Sequence, residues 1–257
     1  WERAHYDLGG DRVVLEARTA ELLVGRVLEP RTRAEIGWRG GRRTFEGGAG
    51  GPAAAENGMV SSAVLGLERQ VHDGWRYRLE AAARVAAAAP MLGSDLGFTT
   101  ARVRLRQMLF LAPPARATIE RSVLAAQLTW GRASGGAPLD VLFAPGGGAE
   151  VDLPLRARRQ KRGGVLGHAP LGRGVALANL EWRRRVGRLG PVQLGTVVFA
   201  DAVRMSGQPV DGARRHFLDA GAGLRLGLAG VLVRLDYGRS VAGPRAGTLT
   251  AGIGQTF

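Results

Sequence analysis

Long runs of strictly alternating residues constrain this chain more than any other feature of its sequence. In "LDAGAGLRLGL", Leu218, Ala220, Ala222, Leu224, Leu226 and Leu228 share one face, and Asp219, Gly221, Gly223, Arg225 and Gly227 share the other. "VLVRLDYG" sets Val231, Val233, Leu235 and Tyr237 against Leu232, Arg234, Asp236 and Gly238. "ARVRLRQ" sets Ala101, Val103 and Leu105 against Arg102, Arg104 and Arg106. Helical neighbours recur at three and four residues, so a period of two sustained this often is a strand signal. The template predicts about twelve strands. They lie near 2–8, 12–28, 31–46, 58–71, 75–88, 97–111, 115–132, 174–186, 190–204, 216–228, 230–239 and 247–257. The phase of the second slips around Thr19–Ala20, which predicts a bulge there.

These strands exceed the roughly 5–6 residues common in soluble sheets. They match the roughly 9–11 residues, plus ends, of a tilted strand that crosses a bilayer. The connectors carry an independent signal. Short ones ("LEPR", "HDG", "APPA", "GRLG", "LAG") alternate with long ones ("EGGAGGPAAAENG", "PMLGSDL", residues 133–173, "MSGQPVDGARR", "VAGPRAG"). Tight turns at one end and long loops at the other are the pattern of outer-membrane barrels. The fold class expected is therefore an all-β transmembrane antiparallel barrel, a single domain over 1–257 with one long inward-folded loop at 133–173. No run approaches the roughly 18 uncharged apolar residues of a membrane helix; "LEAAARVAAAAPML" is shorter and contains Arg84.

The formal charge of +14, from 36 basic and 22 acidic residues, invites a nucleic-acid reading. Such a platform interleaves basic residues with exposed aromatics. Here Trp38, Trp75, Tyr77, Trp130 and Trp182 fall opposite the arginines, as an aromatic belt at a membrane interface would. No nucleic-acid partner is expected, and the arginines are assigned to a polar lumen. There is no cysteine, and the four histidines show no paired spacing, so neither a disulfide nor a metal site is expected. Ser134 lacks the Gly-x-Ser-x-Gly elbow, and the glycines of "GAGLRLG" miss the dinucleotide spacing. The expectation is a non-enzyme without cofactor.

Four stretches give the last 85 residues or so a resemblance to the C-terminal barrel of the BamA/TamA-type bacterial surface antigen family, relatives of the two-partner secretion transporters. These are "KRGG" (161–164), "NLEWR" (179–183), "VVFADAV" (197–203) and "GAGLRLGLAGVLVRLDYG" followed by "GIGQTF". The loop motif of the family is aliphatic-Arg-Gly-aromatic, and "KRGG" keeps its Arg-Gly as Arg162 and Gly163. "LRAR" (155–158) is the rival placement and lacks the Gly. The strand motif Phe-x-Asp matches Phe199 and Asp201, with Val203 where the family has Gly. The resemblance implies about sixteen strands against the roughly twelve counted: either this chain is the C-terminal part of a longer one, with further strands and periplasmic repeats upstream, or it is a short barrel closing its own first and last strands. It also implies a bacterial outer-membrane location, contact with outer-membrane lipids, and handling of nascent outer-membrane or secreted polypeptides by lateral opening of the barrel seam. The alternative class is a passive pore, or an anchoring barrel fused to another domain.

Phase puts Glu181 with Asn179, Arg183 and Arg185, and Asp201 with Gln193, Gly195, Val197 and Phe199. Both carboxylates therefore face the expected lumen on adjacent strands. The resemblance implies that Arg162, with Gly163, folds inward and bridges them, locking loop to barrel. It also implies that the last strand, with Gly252, Ile253, Gly254 and Phe257, is the signal read by the assembly machinery. Ile253 shares the apolar side with Leu249, Ala251 and Phe257, and Gln255 is the exception on that side. Deleting Phe257 is expected to lower membrane assembly in cells far more than refolding in detergent; equal membrane yield for both chains would refute the signal.

Overall fold

The computed structural model describes residues 2–8, 11–47, 55–113, 118–147, 152–159, 161–162, 165–166, 170–210 and 212–256. Seven long strands come first: β1 (Glu2–Leu8), β2 (Asp11–Glu29), β3 (Thr32–Glu46), β4 (Gly58–Asp73), β5 (Tyr77–Ala88), β6 (Phe98–Phe110) and β7 (Ser122–Ala133). Four short pieces follow within the long connector: β8 (Gly146–Gly147), β9 (Pro154–Arg159), β10 (Lys161–Arg162) and β11 (Val165–Leu166). Five long strands close the chain: β12 (Gly174–Leu189), β13 (Val192–Ser206), β14 (His216–Leu228), β15 (Val231–Ala242) and β16 (Gly247–Ile253). The twelve long strands form one antiparallel meander in sequence order, with β7 paired to β12 across the long connector.

The two faces of this sheet differ as the alternation requires. Leu22, Val24, Ile36, Leu65, Leu128, Leu180, Val198, Leu224, Leu235 and Leu249 are exposed on one face, together with Trp38, Trp130 and Trp182. Trp75, just before β5, is 62% exposed. A largely apolar exterior of this extent belongs in lipid, because soluble monomers rarely expose more than a few hundred Å² of contiguous apolar surface. The other face is rolled inward. Arg84 of β5 reaches Glu21 of β2 at 2.6 Å, skipping two strands, and Arg104 and Arg106 of β6 meet Glu68 and Glu80. Inward arginines are thus answered by inward acids from neighbouring strands.

Toward the long-loop end the interior turns apolar. Ala4, Tyr6, Leu8, Val13, Leu15 and Ala17 of β1 and β2 pack with Leu139, Leu142 and Leu171 of the long connector. Leu153 and Leu155, from the same connector, pack on Val175, Leu177, Val203, Met205 and Phe217. The connector therefore enters the sheet's concavity on both sides of it. This is a hydrophobic seat, favoured by roughly 25 cal/mol per Å² of apolar surface removed from water.

Three sequence expectations change. The β2–β3 pairing runs without a slip through Thr19↔Gly41 and Ala20↔Gly40, and the irregularity lies between Val27 and Glu29. Two glycines opposite the suspected bulge explain it: a Cβ at Gly41 would collide with the Arg18 carbonyl oxygen, so close strand approach replaces an inserted residue. The seventh strand begins at Ser122 rather than 115. Residues 118–121 lie outside any strand, with Ile119 buried and its N–H donated to Gln193 Oε1 at 2.9 Å. The last strand stops at Ile253, not at 257.

An exterior of this kind should make the purified chain monodisperse only in detergent, with different gel migration before and after boiling. A stable monomer in plain buffer would contradict it.

Candidate functional site

Strand register builds the site before any loop is considered. β12 and β13 pair Asn179 with Asp201 and Glu181 with Phe199. β13 and β14 pair Asp201 with Asp219 and Phe199 with Gly221. β14 and β15 pair Asp219 with Ser240 and Gly221 with Gly238. Residues directly opposite share a face. The inner wall therefore carries one polar row, Asn179–Asp201–Asp219–Ser240, beside a second row of acid, ring and two gaps, Glu181–Phe199–Gly221–Gly238.

β9 lies on these rows. Asp201 accepts three hydrogen bonds from Arg156: from the backbone N–H at 3.0 Å, Nε at 2.8 Å and Nη2 at 2.6 Å. Arg156 Nη1 donates to Glu181 Oε1, whose second oxygen accepts from Arg183 Nε at 2.7 Å. Asn179 Nδ2 donates to Asp201 Oδ1 and to the Pro154 carbonyl, both at 2.7 Å. The guanidinium stands 3.6 Å from the centroid of the Phe199 ring, a cation–π contact. Glu181 and Asp201 are 0% exposed, so each must be answered inside the protein. Two acids and two arginines form a set of zero net charge. Burial acts to lower the pKa of Arg156, but hydrogen bonding and charge from Asp201, with the charge of Glu181, raise it above its ordinary value and keep the group ionised.

The glycines make the space. A Cβ at Gly221 would collide with Phe199 Cζ, and one at Gly238 would fall 2.8 Å from the Ala157 nitrogen. The Phe199 ring lies over the first gap and the loop backbone over the second. Further along β9, Ala157 donates its N–H to Asp219 Oδ2 at 3.1 Å, and Thr248 Oγ1 donates to the Ala157 carbonyl at 3.0 Å. Arg158 pairs with Asp219 (3.4 Å), donates to Ser240 Oγ (2.6 Å) and the Pro244 carbonyl (3.2 Å), and covers the Phe217 ring at 4.7 Å. Five strands from β12 to β16 thus hold one six-residue piece of loop.

The arginine between Glu181 and Asp201 is Arg156, not Arg162. β10 pairs Arg162 with Val165 of β11 in a small hairpin, and Gly163 lies outside the described residues. "LRAR" is the segment that fits because its alternation suits a buried strand: every residue from Pro154 to Arg158 is buried. "KRGG" matches the loop motif through its Arg-Gly pair, but it supplies no apolar partner before the arginine. Sequence reasoning missed Asp219, Arg158, Phe217, Ser240, Gly238 and Thr248. Asp219 was visible as an acid on the inward phase of β14, and the second arginine two residues after Arg156 was the matching signal.

The terminal residues also move. Gly252 pairs with Arg234 and Ile253 is 76% exposed on the outer face. Gly254 then adopts φ 83°, a left-handed conformation suited to glycine, and reverses the phase. Gln255 Oε1 accepts from Arg225 Nε at 3.4 Å and Thr256 Oγ1 accepts from Arg234 Nη1 at 2.5 Å. That is why Gln255 breaks the apolar pattern: it has left the strand. Phe257 lies outside the described residues.

A meander of long strands, apolar outside and polar inside, with a loop seated in its concavity, defines the class: the fold of an outer-membrane β-barrel. Over 97% of its length the chain is structurally similar to CdiB from Escherichia coli, with a TM-score of 0.68 at 13% identity. It is similar over the same share to BamA from Haemophilus ducreyi lacking POTRA domains 1–3, with a TM-score of 0.62 at 12% identity. The chain spans about half of those structures, 47% of the first and 57% of the second. No family model matches the sequence, and no curated protein matches it.

Replacing Arg156 by Ala leaves two buried carboxylates with too few donors and should cost about 3–5 kcal/mol. Arg156→Lys should rescue poorly, since an ammonium cannot fork to two acids. Denaturant titration in detergent, with protease nicking of residues 152–166, measures both. Wild-type stability and protection in Arg156→Ala would show that the ion set carries no weight.

Proposed function

We propose that this chain is a polypeptide-handling barrel of the BamA/TamA type in the bacterial outer membrane, which inserts or exports other proteins by opening laterally along a strand edge. The observation that carries the reading is the seating of Arg156: a loop docked by a buried ion set on β12 and β13, and by further bonds on β14–β16, the five strands that end the sheet. Among the described residues the backbone of β16 pairs with β15 alone, so its other edge offers backbone donors and acceptors to a further strand. Strand addition at such an edge is a recurring mode of peptide recognition, with affinity supplied by main-chain hydrogen bonds. No bond is made or broken in this scheme; the work is exchange of strand pairing.

The docked loop gives the edge a fixed backing. Arg156, Ala157 and Arg158 tie β12, β13, β14, β15 and β16 to one another through a common element. Those strands would then move as a unit against the rest of the sheet. The loop also fills the concavity beside Asp201 and Asp219, which favours an occupied lumen over a wide passive pore. Outer-membrane lipids are the solvent for the exterior, and nascent outer-membrane or secreted polypeptides are the proposed substrates.

A photo-crosslinking residue at Ala251 of β16 should capture a defined outer-membrane polypeptide during its assembly in cells. In planar bilayers the wild-type chain should show low, flickering conductance, raised several-fold by Arg156→Ala. Steady large conductance of the wild type, with no crosslink at Ala251, would instead establish a passive pore.

A further inference from the structure

On the outer face of β12 and β13 the alternation produces a trough where a barrel wall is usually filled. Register sets two neighbouring rows across it. The first is Val103–Trp130–Ala176–Arg204–His216, and the second is Leu105–Leu128–Ala178–Ala202–Leu218. Three alanines form the floor, with Trp130 and Leu128 as one wall and Leu218 as the other. From β7 to β14 is three strand spacings, about 14 Å. The trough has a volume of about 520 Å³ and a mostly apolar lining.

One end of this trough is cationic. Arg204 and His216 occupy outward positions next to each other, and Arg214 joins them from the connector before β14, donating Nε to the His216 carbonyl at 3.1 Å. All three are exposed. Among the described residues neither Arg204 nor Arg214 forms a salt bridge, unlike the inward arginines of β6. A charge at a lipid-facing position disfavours the barrel unless it sits at the interface. Arg204 lies two residues from the end of β13, on the side of the long connectors, where the chain leaves the apolar layer. An apolar channel running into a patch of guanidinium groups without acids has the shape of one kind of ligand.

We propose that this trough binds a phosphate-bearing lipid of the outer leaflet, its acyl chain lying on Ala176, Ala178 and Ala202 and its phosphate held by Arg204 and Arg214. Arginine suits that headgroup because its fork pairs two phosphate oxygens at once. Trp130 supplies the amphipathic ring that settles at the headgroup level. The alanine floor provides what large side chains on a lipid face do not, a recess deep enough to order one chain rather than merely touch many. The site rests on the membrane placement proposed above, but not on polypeptide handling.

The test is native mass spectrometry of the full chain released from detergent after addition of lipid A or its dephosphorylated form. One lipid A should be retained per chain, and the dephosphorylated form should bind about tenfold more weakly or worse, the size of one lost charge-assisted hydrogen bond. The double variant Arg204→Gln, Arg214→Gln should lose lipid A to a similar extent. Ala202→Phe, which fills the floor and keeps both cations, should lose it too. Heat-modifiable migration of each variant confirms the barrel. Equal retention of both lipids, or full retention by the variants, would overturn the site as ordinary annular lipid. Full competition by inorganic phosphate would overturn it as a simple anion site. A chain that is soluble without detergent would refute the membrane placement itself, a separate failure.

Discussion

Two carboxylates on one wall of the sheet, Glu181 and Asp201, are entirely removed from water, and the arrangement around them follows from that fact. An uncompensated buried charge is costly, whereas a paired and fully hydrogen-bonded one is tolerated. Arg156 supplies the pairing from a loop that would otherwise be free to lie anywhere. Its fork uses both acids, its backbone N–H adds a third bond to Asp201, and the ring of Phe199 covers its face. Arg183 and Asn179 satisfy acceptor positions on the two acids beyond those Arg156 takes. The pair contributes little net stability by itself; its value is that the loop has one seat and no equivalent alternative.

That seat requires emptiness as much as charge. Gly221 and Gly238 face the loop where side chains would collide with the Phe199 ring and with the backbone at Arg156–Ala157. Asp219, Ser240 and Thr248 then repeat the logic one step along, binding Arg158 and the peptide groups of Ala157. Charge, ring and glycine gap lie on adjacent rows because antiparallel register places them there. A barrel wall is thereby made specific for one strand of its own loop. The outer surface of the same strands shows the inverse economy of volume, with alanines in a recess and cations at its rim.

The fold was legible because period-two patterning survives without any knowledge of partners. Each strand needs only one face in lipid and one in a polar interior, so every strand declares itself independently in the sequence. The alternation of short and long connectors oriented the sheet for the same local reason. Bounds slipped where the chain leaves the lattice: residues 118–121 turn aside with Ile119 buried, and Gly254 ends the last strand early. Glu181 and Asp201 were also legible, since phase alone aims them inward. The arginine that meets them was not. Arg156 and Arg162 stand in the same basic run, and the sequence spacing between a loop residue and a strand residue sets no distance between them.

The sequence by itself thus determined an all-β sheet, its inner and outer faces, and the two acids on its inner wall, because each of these depends on residues close in the chain or on a repeating period. Only the tertiary structure decided which basic residue fills the acid pair, that Asp219 and Phe217 receive Arg158, and that Ala176, Ala178 and Ala202 join into one trough. Those results depend on register between strands and on the path of a long loop. Register is a relation between segments, and it appears only when the hydrogen bonds between them are made.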